Sequence, residues 1–433
     1  MFMAASVSAA FSEGYQVNLQ STKQAGMGHV GTAMKLGAES MHFNPAGLSH
    51  MDKTIDLSGG ASFIMSNVDY TSPDGKNVST DSNPSTPLYL YAGYKILDDL
   101  AAGISVTNPY GSGLKWPSDW LGAHHVQEIS LKTFSIQPTV SYKFLNDRLS
   151  VGAGLMIMTG DVSIGRALMP SGWGAAVIAY PQLAPLAQMY PDVVPVQAEL
   201  SGKAKVGLGY NVGVMFDITK QWTVGASYRS EVKMKLEEGT ADVAYANSTI
   251  EGAISPMFSP LESGTFAASM PLPANLTVGL AYKPTTKLIL SADFQYVFWS
   301  AYERLDFEFS PAPLSAYNSS SVKDYSNAFA VRLGGQYNVI SCLDVRLGAY
   351  FDKTPVNDEY YSPETPGADK IGVTAGLSFY PIKNLAIDAS FAYVHGIEKE
   401  NVSCPDPMSA TGKFSGSYQP TALMPSVGVA YKF

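Results

Sequence analysis

A two-residue rhythm that begins near Lys53 and runs to the last residue constrains this 433-residue chain more than any other feature. Between Leu343 and Asp352, the residues Leu343, Val345, Leu347, Ala349 and Phe351 alternate with Asp344, Arg346, Gly348, Tyr350 and Asp352. Ile371, Val373, Ala375, Leu377 and Phe379 alternate with glycine, threonine and serine. Across Gln221–Glu237 the same reading puts Trp222, Val224, Ala226, Tyr228, Val232, Met234 and Leu236 on one face, opposite Thr223, Ser227, Arg229, Glu231, Lys233, Lys235 and Glu237. Period two belongs to strands with one greasy and one polar face, not to helices.

The connections alternate as regularly as the side chains. Short polar turns fall at 97–99, 145–148, 217–221, 283–286, 338–342 and 381–384. Long stretches rich in Ser, Pro, Gly and Asp fall near 69–86, 112–123, 169–198, 240–263, 309–323, 354–369 and 396–416. Six short and seven long connections imply about fourteen antiparallel strands, trimmed at one end and elaborated at the other. An even number lets the sheet close on itself and leave no edge.

What such a sheet faces follows from charge. Charged residues make up only 15% of the chain, where a soluble surface carries roughly 25–35%. A set of soluble β-sandwiches also alternates, but its strands run to about five or six residues. The run Thr286–Phe309 is far longer and keeps Phe294, Tyr296, Phe298, Trp299 and Tyr302 toward its outer end, as a membrane wall with interfacial aromatics would. The longest uncharged run, 167–191, is broken for a helix by Pro170, Pro181, Pro185 and the Gly172–Gly174 pair. Net charge −9 argues against a nucleic-acid partner. The last run, Leu423–Phe433, places Leu423, Pro425, Val427, Val429, Tyr431 and the terminal Phe433 on one face, an ending common among bacterial outer-membrane barrels. The expected fold class is all-β, a transmembrane antiparallel β-barrel of about fourteen strands in the bacterial outer membrane, with surrounding lipid as one partner.

Before the rhythm starts, residues 12–52 carry glycines at 14, 26, 28, 31 and 37, Lys23, Lys35, Glu39 and three histidines, with neither strand alternation nor a helical stripe. This segment is expected to be a plug inside a barrel formed by 53–433, and 1–11, with its small-residue end, a remnant of an export signal. His29, His42 and His50 match no zinc spacing and are expected to bond the barrel wall. His124-His125, at the end of an outer loop, are expected to be solvated. Cys342 in a short turn and Cys404 in a long loop belong to opposite ends and cannot bridge.

Five short motifs in order now carry a resemblance. Asn44-Pro45-Ala46 in the plug, Asn108-Pro109-Tyr110-Gly111 followed by Trp116 and Trp120, Phe298-Trp299-Ser300, the Phe351–Lys370 loop opening Phe-Asp-Lys-Thr-Pro-Val, and Tyr393-Val394-His395-Gly396 resemble the FadL-type (Toluene_X-like) outer-membrane transporters of long-chain fatty acids and aromatic hydrocarbons. The resemblance covers essentially the whole chain. It implies a plugged fourteen-stranded barrel, a monomer, that takes up a hydrophobic small molecule through an outer groove and a lumenal pocket, and releases it sideways beside a kinked third strand.

The residues allow each step of that path to be placed. Loop 169–198 has no charge between Arg166 and Asp192 and displays Trp173, Ile178, Tyr180, Leu183 and Leu186; with Met257 and Phe258 of the next long loop these form either a capture groove or a lid closed on itself. In the third strand Asn108, Pro109 and Gly111 interrupt pairing or simply end the strand, and by resemblance a lateral opening lies there. Parity in the fifth strand sends Leu149, Val151, Ala153, Leu155 and Ile157 to lipid and Met156, Met158 and, if no bulge intervenes, Arg166 to the lumen. Arg166 falls where the family carries a pocket arginine and would meet a carboxylate, or else pairs within the lumen. The family's second basic residue has no aligned counterpart, Lys323 being near. Asn44, Pro45 and Ala46 are expected to join plug to wall and to gate. No cofactor or metal is expected, and no nucleophile with a positioned base is visible; a lipid-acting barrel enzyme and a general porin stand as alternatives.

Overall fold

The computed structural model describes residues 14–81, 84–169, 173, 177, 180–406, 408–409 and 411–433. Met1–Ala10, the start of the plug, and Ile178 lie outside the described residues. Fourteen antiparallel strands close into a barrel: β1 (Ile55–Ser62, Met65–Thr71), β2 (Leu88–Lys95), β3 (Leu100–Thr107, Gly111–Lys115), β4 (Glu128–Phe144), β5 (Leu149–Ala167), β6 (Val196–Asp217), β7 (Trp222–Arg229, Val232–Tyr245), β8 (Thr265–Leu272, Asn275–Tyr282), β9 (Leu288–Val297, Arg304–Ser310), β10 (Ser319–Val322, Ala328–Ile340), β11 (Leu343–Asp352), β12 (Lys370–Ile382), β13 (Leu385–Gly396, Lys399–Pro405) and β14 (Lys413–Lys432). Each strand pairs with the next. The seam closes where β14 meets β1, with Ala61 opposite Val427 and Leu57 opposite Tyr431. No helix among the described residues is long and apolar enough to cross a membrane; the crossing is made by strands.

Alternation divides the wall as expected over most of its length. Leu90, Ile104, Ile136, Leu155, Leu208, Leu347 and Val427 point outward and are exposed, Leu347 at 70%. A charged side chain on that face at mid-membrane would cost about 2–4 kcal/mol. Rings gather near the short turns: Trp222 stacks on Tyr282 at 4.1 Å, and Tyr142 packs against Phe144. Such rings suit the membrane interface, where an apolar body and a polar tip are both accommodated.

Two stretches do not keep one parity, and both change the lumen. In β7, Trp222 is exposed and Val224, Ala226 and Tyr228 are only half-buried on the outer face, but Val232, Met234 and Leu236 point inward and are buried, while Lys233, Lys235 and Glu237 face out. The face expected to be continuous therefore swaps sides. The cause is the break at Ser230-Glu231, where Ser230 leaves the ladder and exchanges hydrogen bonds with Tyr210, its N–H to the Tyr210 carbonyl at 2.9 Å and its Oγ accepting from the Tyr210 N–H at 2.9 Å. Likewise Thr286–Phe309 is not one run. A tight turn at Trp299–Ala301 splits β9, and Trp299 and Tyr302, expected among outward aromatics, are buried inside.

The plug fills the inner half of the lumen. It contains only short turns, Thr22–Ala25, Gly37–Glu39, Ser40–Phe43 and Pro45–His50, and nearly all its residues are buried. With so little regular structure, its backbone polar groups must be met by the wall. Asp293 of β9 accepts from the Gly31 N–H at 2.8 Å, the Thr32 N–H at 3.0 Å and the Thr32 hydroxyl at 2.8 Å. Thr374 of β12 accepts from the Gly28 N–H at 2.8 Å. Within the plug Lys23 pairs with Glu39 at 3.0 Å, and the Ser21 hydroxyl donates to the same carboxylate at 2.6 Å. His50 meets Ser150 at 3.2 Å and His42 meets Arg229 at 3.2 Å, while His29 lies against Tyr350 with its ring centre 5.1 Å away.

Asn44-Pro45-Ala46 lies flat on β5 and β6. The Asn44 amide donates to the Thr32 carbonyl at 2.8 Å and to the Val214 carbonyl at 3.0 Å, and its Oδ1 caps the following turn by accepting from the Ala46 N–H at 3.1 Å. Ser141 of β4 donates to the Ala46 carbonyl at 2.9 Å. This contact exists because two wall residues have no side chain. A Cβ on Gly213 would sit 2.0 Å from Asn44 Oδ1, and one on Gly152 would sit 2.4 Å from the Pro45 carbonyl carbon. Gly213→Ala should therefore displace Asn44 and forfeit two hydrogen bonds of about 1 kcal/mol each. Amide exchange in 32–46 should quicken by roughly 30-fold, with the heat-modifiable mobility of the barrel unchanged; unaltered exchange would show that Asn44 is not the anchor.

Candidate functional site

Above the plug the lumen turns from polar to greasy. A cavity of about 80 Å³ is lined by Leu131, Ile164, Met234, Leu236, Leu305 and Phe307, with further side chains from β3, β5, β8 and β9. The parity swap in β7 is what delivers Met234 and Leu236 to it. Its lining is overwhelmingly apolar, with Glu364 and Thr365 of the outer loop 353–369 at one edge and Tyr15 of the plug at another. An apolar space with a few polar groups at its margin is what a hydrophobic small molecule needs.

Tyr15 holds the most connected position in the site. Its ring stands edge-on to Trp299 at 4.7 Å and to Tyr302 at 5.7 Å, and its hydroxyl donates to the Pro271 carbonyl. Its neighbour Gly14 adopts φ +67°, and a Cβ there would lie 2.6 Å from the Trp299 ring, so only glycine lets the plug pass under that indole. The backbone on either side of Tyr15 joins the wall at β3. The Tyr15 carbonyl accepts from the Gly111 N–H at 2.8 Å, the Val17 N–H donates to the Pro109 carbonyl at 2.9 Å, and Gln16 bridges to Tyr110.

That junction is the interruption in β3. Pairing with β4 runs to Thr107 opposite Ser135 and resumes at Gly111 opposite Lys132, so three residues face two. The strand does not simply end there; it bulges and continues. On the other side, β2 pairs with β3 only as far as Thr107, and among the described residues no strand on that side pairs with Gly111–Lys115. The Asn108 side chain holds the break, its Oδ1 accepting from the Leu88 N–H at 3.0 Å and its amide donating to the Thr133 carbonyl at 2.6 Å.

The polar edge of the cavity is ionic. Lys323, 1% exposed along its side chain, pairs with Glu364 at 2.7 Å, and Ser362 donates to the same carboxylate oxygen at 3.1 Å. Burial pushes the Glu364 carboxyl up, but the Lys323 ammonium, aided by Arg166, holds it below the usual range. Arg166 is half-buried, and its charge acts on the same Glu364 carboxylate. Lys323, which has no motif to align it, arrives beside Arg166 through the fold. Two cations and one anion leave a net positive charge.

Other residues singled out in the sequence fall elsewhere. Met156 and Met158 are buried toward the lumen, in the same apolar cluster as the cavity wall, and Met156 Sδ accepts from Arg229 at 3.0 Å. Trp173 and Leu183 are buried with Met169, Val196, Ile250 and Ile254, and Leu186, Met257 and Phe258 pack on that cluster. The Trp173 indole donates to the Tyr190 carbonyl at 3.0 Å. The described residues of these two outer loops pack on each other and none of them lines the cavity; Tyr180 and Met189 are exposed at their rim. Met234, Leu236, Leu305 and Phe307 escaped the sequence reading because they come from strand segments beyond the breaks in β7 and β9, where parity had already shifted. The outer-loop His124 and His125 are not solvated: they lie partly buried against Phe414, with ring centres 6.1 and 5.0 Å away. Cys342 and Cys404 are free, as their opposite ends require.

Comparison with known proteins agrees with this architecture. The family described as outer membrane protein transport protein (OMPP1/FadL/TodX) matches residues 3–433. A putative outer membrane protein of Neisseria meningitidis serogroup B is 27% identical, with 91% of this chain and 88% of the relative covered. The long-chain fatty acid transport protein of Escherichia coli K12 is 23% identical, with 89% of each covered. Among solved structures, a Pseudomonas aeruginosa FadL homologue superposes with TM-score 0.78 at 20% identity, covering 97% of this chain and 100% of the other. The Pseudomonas putida toluene transporter TodX gives TM-score 0.69 at 17% identity, covering 95% and 97%; at these identities the two structures bear on the fold. With a whole-chain family match on a plugged fourteen-stranded barrel, the chain belongs to the OMPP1/FadL/TodX family of outer-membrane transport proteins, and is a transporter and not an enzyme.

Proposed function

We propose that this chain carries small hydrophobic molecules across the outer membrane by holding them in the apolar cavity and releasing them sideways through the β3 interruption. Relatives named for long-chain fatty acids and structural neighbours named for toluene bracket the substrate class. The observation that carries the reading is the double role of Tyr15, which lines the cavity with its ring and closes the β3 break with its backbone. A ligand that pushes the ring aside loosens the three-residue bridge 15–17, and the bulge then loses that lumenal cover. Capture begins at the exposed rim of the two closed outer loops, at Tyr180 and Met189. Asn44-Pro45-Ala46 acts as the fixed hinge, because its hydrogen bonds to the wall and its closest backbone approaches are made on β4, β5 and β6.

The mechanism needs no water-filled channel. An apolar solute gains roughly 25 cal/mol per Å² on leaving water for the cavity, and the lipid core outside β3 offers the same environment. Transfer between the two is nearly level once the bridge opens, so direction follows the concentration gradient.

The bridge can be locked. In an antiparallel pair, Cα atoms stand about 4.5–5.5 Å apart, within disulfide range, so Gln16→Cys with Tyr110→Cys, on a Cys342→Ser background, should cross-link on oxidation. Oxidised protein in liposomes is expected to bind substrate yet transport it at least tenfold more slowly, with reduction restoring the rate. Equal rates before and after reduction would remove the lateral route.

Glu364 sets which substrates bind well. While ionised it cancels one of two cations, favouring neutral hydrocarbons over carboxylates relative to a site with two free cations. Glu364→Gln should raise affinity for a long-chain fatty carboxylate by about tenfold while leaving alkylbenzene affinity unchanged; parallel changes for both ligands would place the triad outside the binding site. Because the Glu364 carboxyl sits below its usual range, the ion pair with Lys323 contributes fully above the unfolded-state pKa. It is lost as pH falls through the lower folded value.

A further inference from the structure

Outside the transport path, one cluster of side chains has no part in the mechanism. His124 and His125 lie in the outer connection between β3 and β4, and Asp406 lies 282 residues after His124, in that between β13 and β14. Their ligand-type atoms all fall within 4.8 Å of one another. His124 Nε2 is 3.0 Å and His125 Nε2 is 3.5 Å from Asp406 Oδ2. Four donors at about 2.0–2.1 Å around a tetrahedral divalent cation stand about 3.3–3.4 Å apart. The two observed separations bracket that spacing.

A hydrogen-bonded clamp alone would explain only part of this. It would satisfy His124 Nε2, but it holds His125 Nε2 only at 3.5 Å from Asp406 Oδ2, and the buried His124 Nδ1 makes no hydrogen bond among the described residues. A buried nitrogen left without a partner costs about 1–3 kcal/mol. Two imidazoles and one carboxylate converge from two loops. The side chains are 10%, 17% and 3% exposed, so the three donors are largely shielded from water. The rings are packed on Phe414, which fixes their direction before any ion arrives.

We propose that His124, His125 and Asp406 form a binding site for a divalent transition-metal ion, zinc being the best fit to two nitrogens and one oxygen. The ion ties the β3–β4 loop to the β13–β14 loop. Trp120 follows from the same loop, stacked on Trp116 at 4.2 Å and edge-on to Phe414, so the clamp secures the aromatic cluster beside the cavity's outer side. The site is a structural one: no nucleophile or base is asked of it.

The test uses the full chain in detergent, stripped with chelator and titrated with zinc chloride by calorimetry. Wild type is expected to bind one ion with Kd below about 10 μM, and His125→Gln or Asp406→Asn to weaken it by at least tenfold. Zinc should also slow proteolysis of 117–127 in wild type only. Cobalt(II) gives a second readout that needs no variant to fold, since a tetrahedral nitrogen and oxygen site shows intense visible absorption that zinc displaces. Equal affinity in wild type and both variants, or no cobalt spectrum, would overturn the proposal and leave an adventitious ion only.

Discussion

The contact on which the molecule depends is the direct approach of plug backbone to barrel backbone, and that approach is possible only where the wall lacks side chains. Asn44 and Pro45 rest on Gly213 and Gly152; farther round, a Cβ on Gly225 would lie 2.2 Å from the Thr32 carbonyl oxygen, one on Gly334 would lie 2.2 Å from the Met27 carbonyl oxygen, and one on Gly348 would lie 2.1 Å from the Gly28 nitrogen. A segment with so few internal hydrogen bonds cannot hold its own shape. The wall holds it instead, through Asp293, Thr374 and Ser141. Barrel and plug are thus one folding problem: the inner face must present glycines at plug height and acceptors beside them, while the outer face of the same strands stays apolar.

This division explains why the two halves of the lumen differ. Low in the barrel the polar face of each strand is used up by the plug. Higher, the wall rises beyond the plug and beyond the membrane, so its outward face meets water and its inward face is free to be apolar. The parity swap at Ser230-Glu231 performs this inversion in β7, exporting Lys233, Lys235 and Glu237 and importing Met234 and Leu236. The turn at Trp299–Ala301 does the same for β9, bringing in Leu305 and Phe307. A binding cavity is made by letting strands change face where the surroundings change.

The same inversion marks what could be read from the sequence. Strand number, the rhythm of short and long connections, the closing terminal strand and the plug follow from periods and turns, which are local. Lumenal Met156 and Met158 follow too, because β5 keeps its parity as far as Met158. The cavity does not follow, because a one-residue slip reverses every later position. Nothing in Val232, Met234 and Leu236 differs in kind from Val224 and Ala226. Loop 169–198 misled in another way. Its apolar residues are real, but Trp173 and Leu183 satisfy each other's need for burial with Ile250 and Ile254, and composition alone cannot tell a greasy surface from a greasy interior.

Long-range pairing is the other thing a linear reading lacks. Lys323 had no motif to fix it, yet the fold sets it against Glu364 and places Arg166 within reach of the same carboxylate. A buried ion pair of this kind contributes little net stability, since desolvating both charges offsets most of their attraction. Its consequence is directional: with Lys323 committed to Glu364, Arg166 is left as the cation with the greater freedom to meet a ligand. The Tyr302 ring, 5.7 Å from the Tyr15 ring and under the influence of Lys323 and Glu364, links this ionic edge to the residue whose backbone meets the β3 break. In the proposed transport, a carboxylate drawn to the ionic edge and an uncharged ring filling the apolar space would therefore both act on the same Tyr15 bridge.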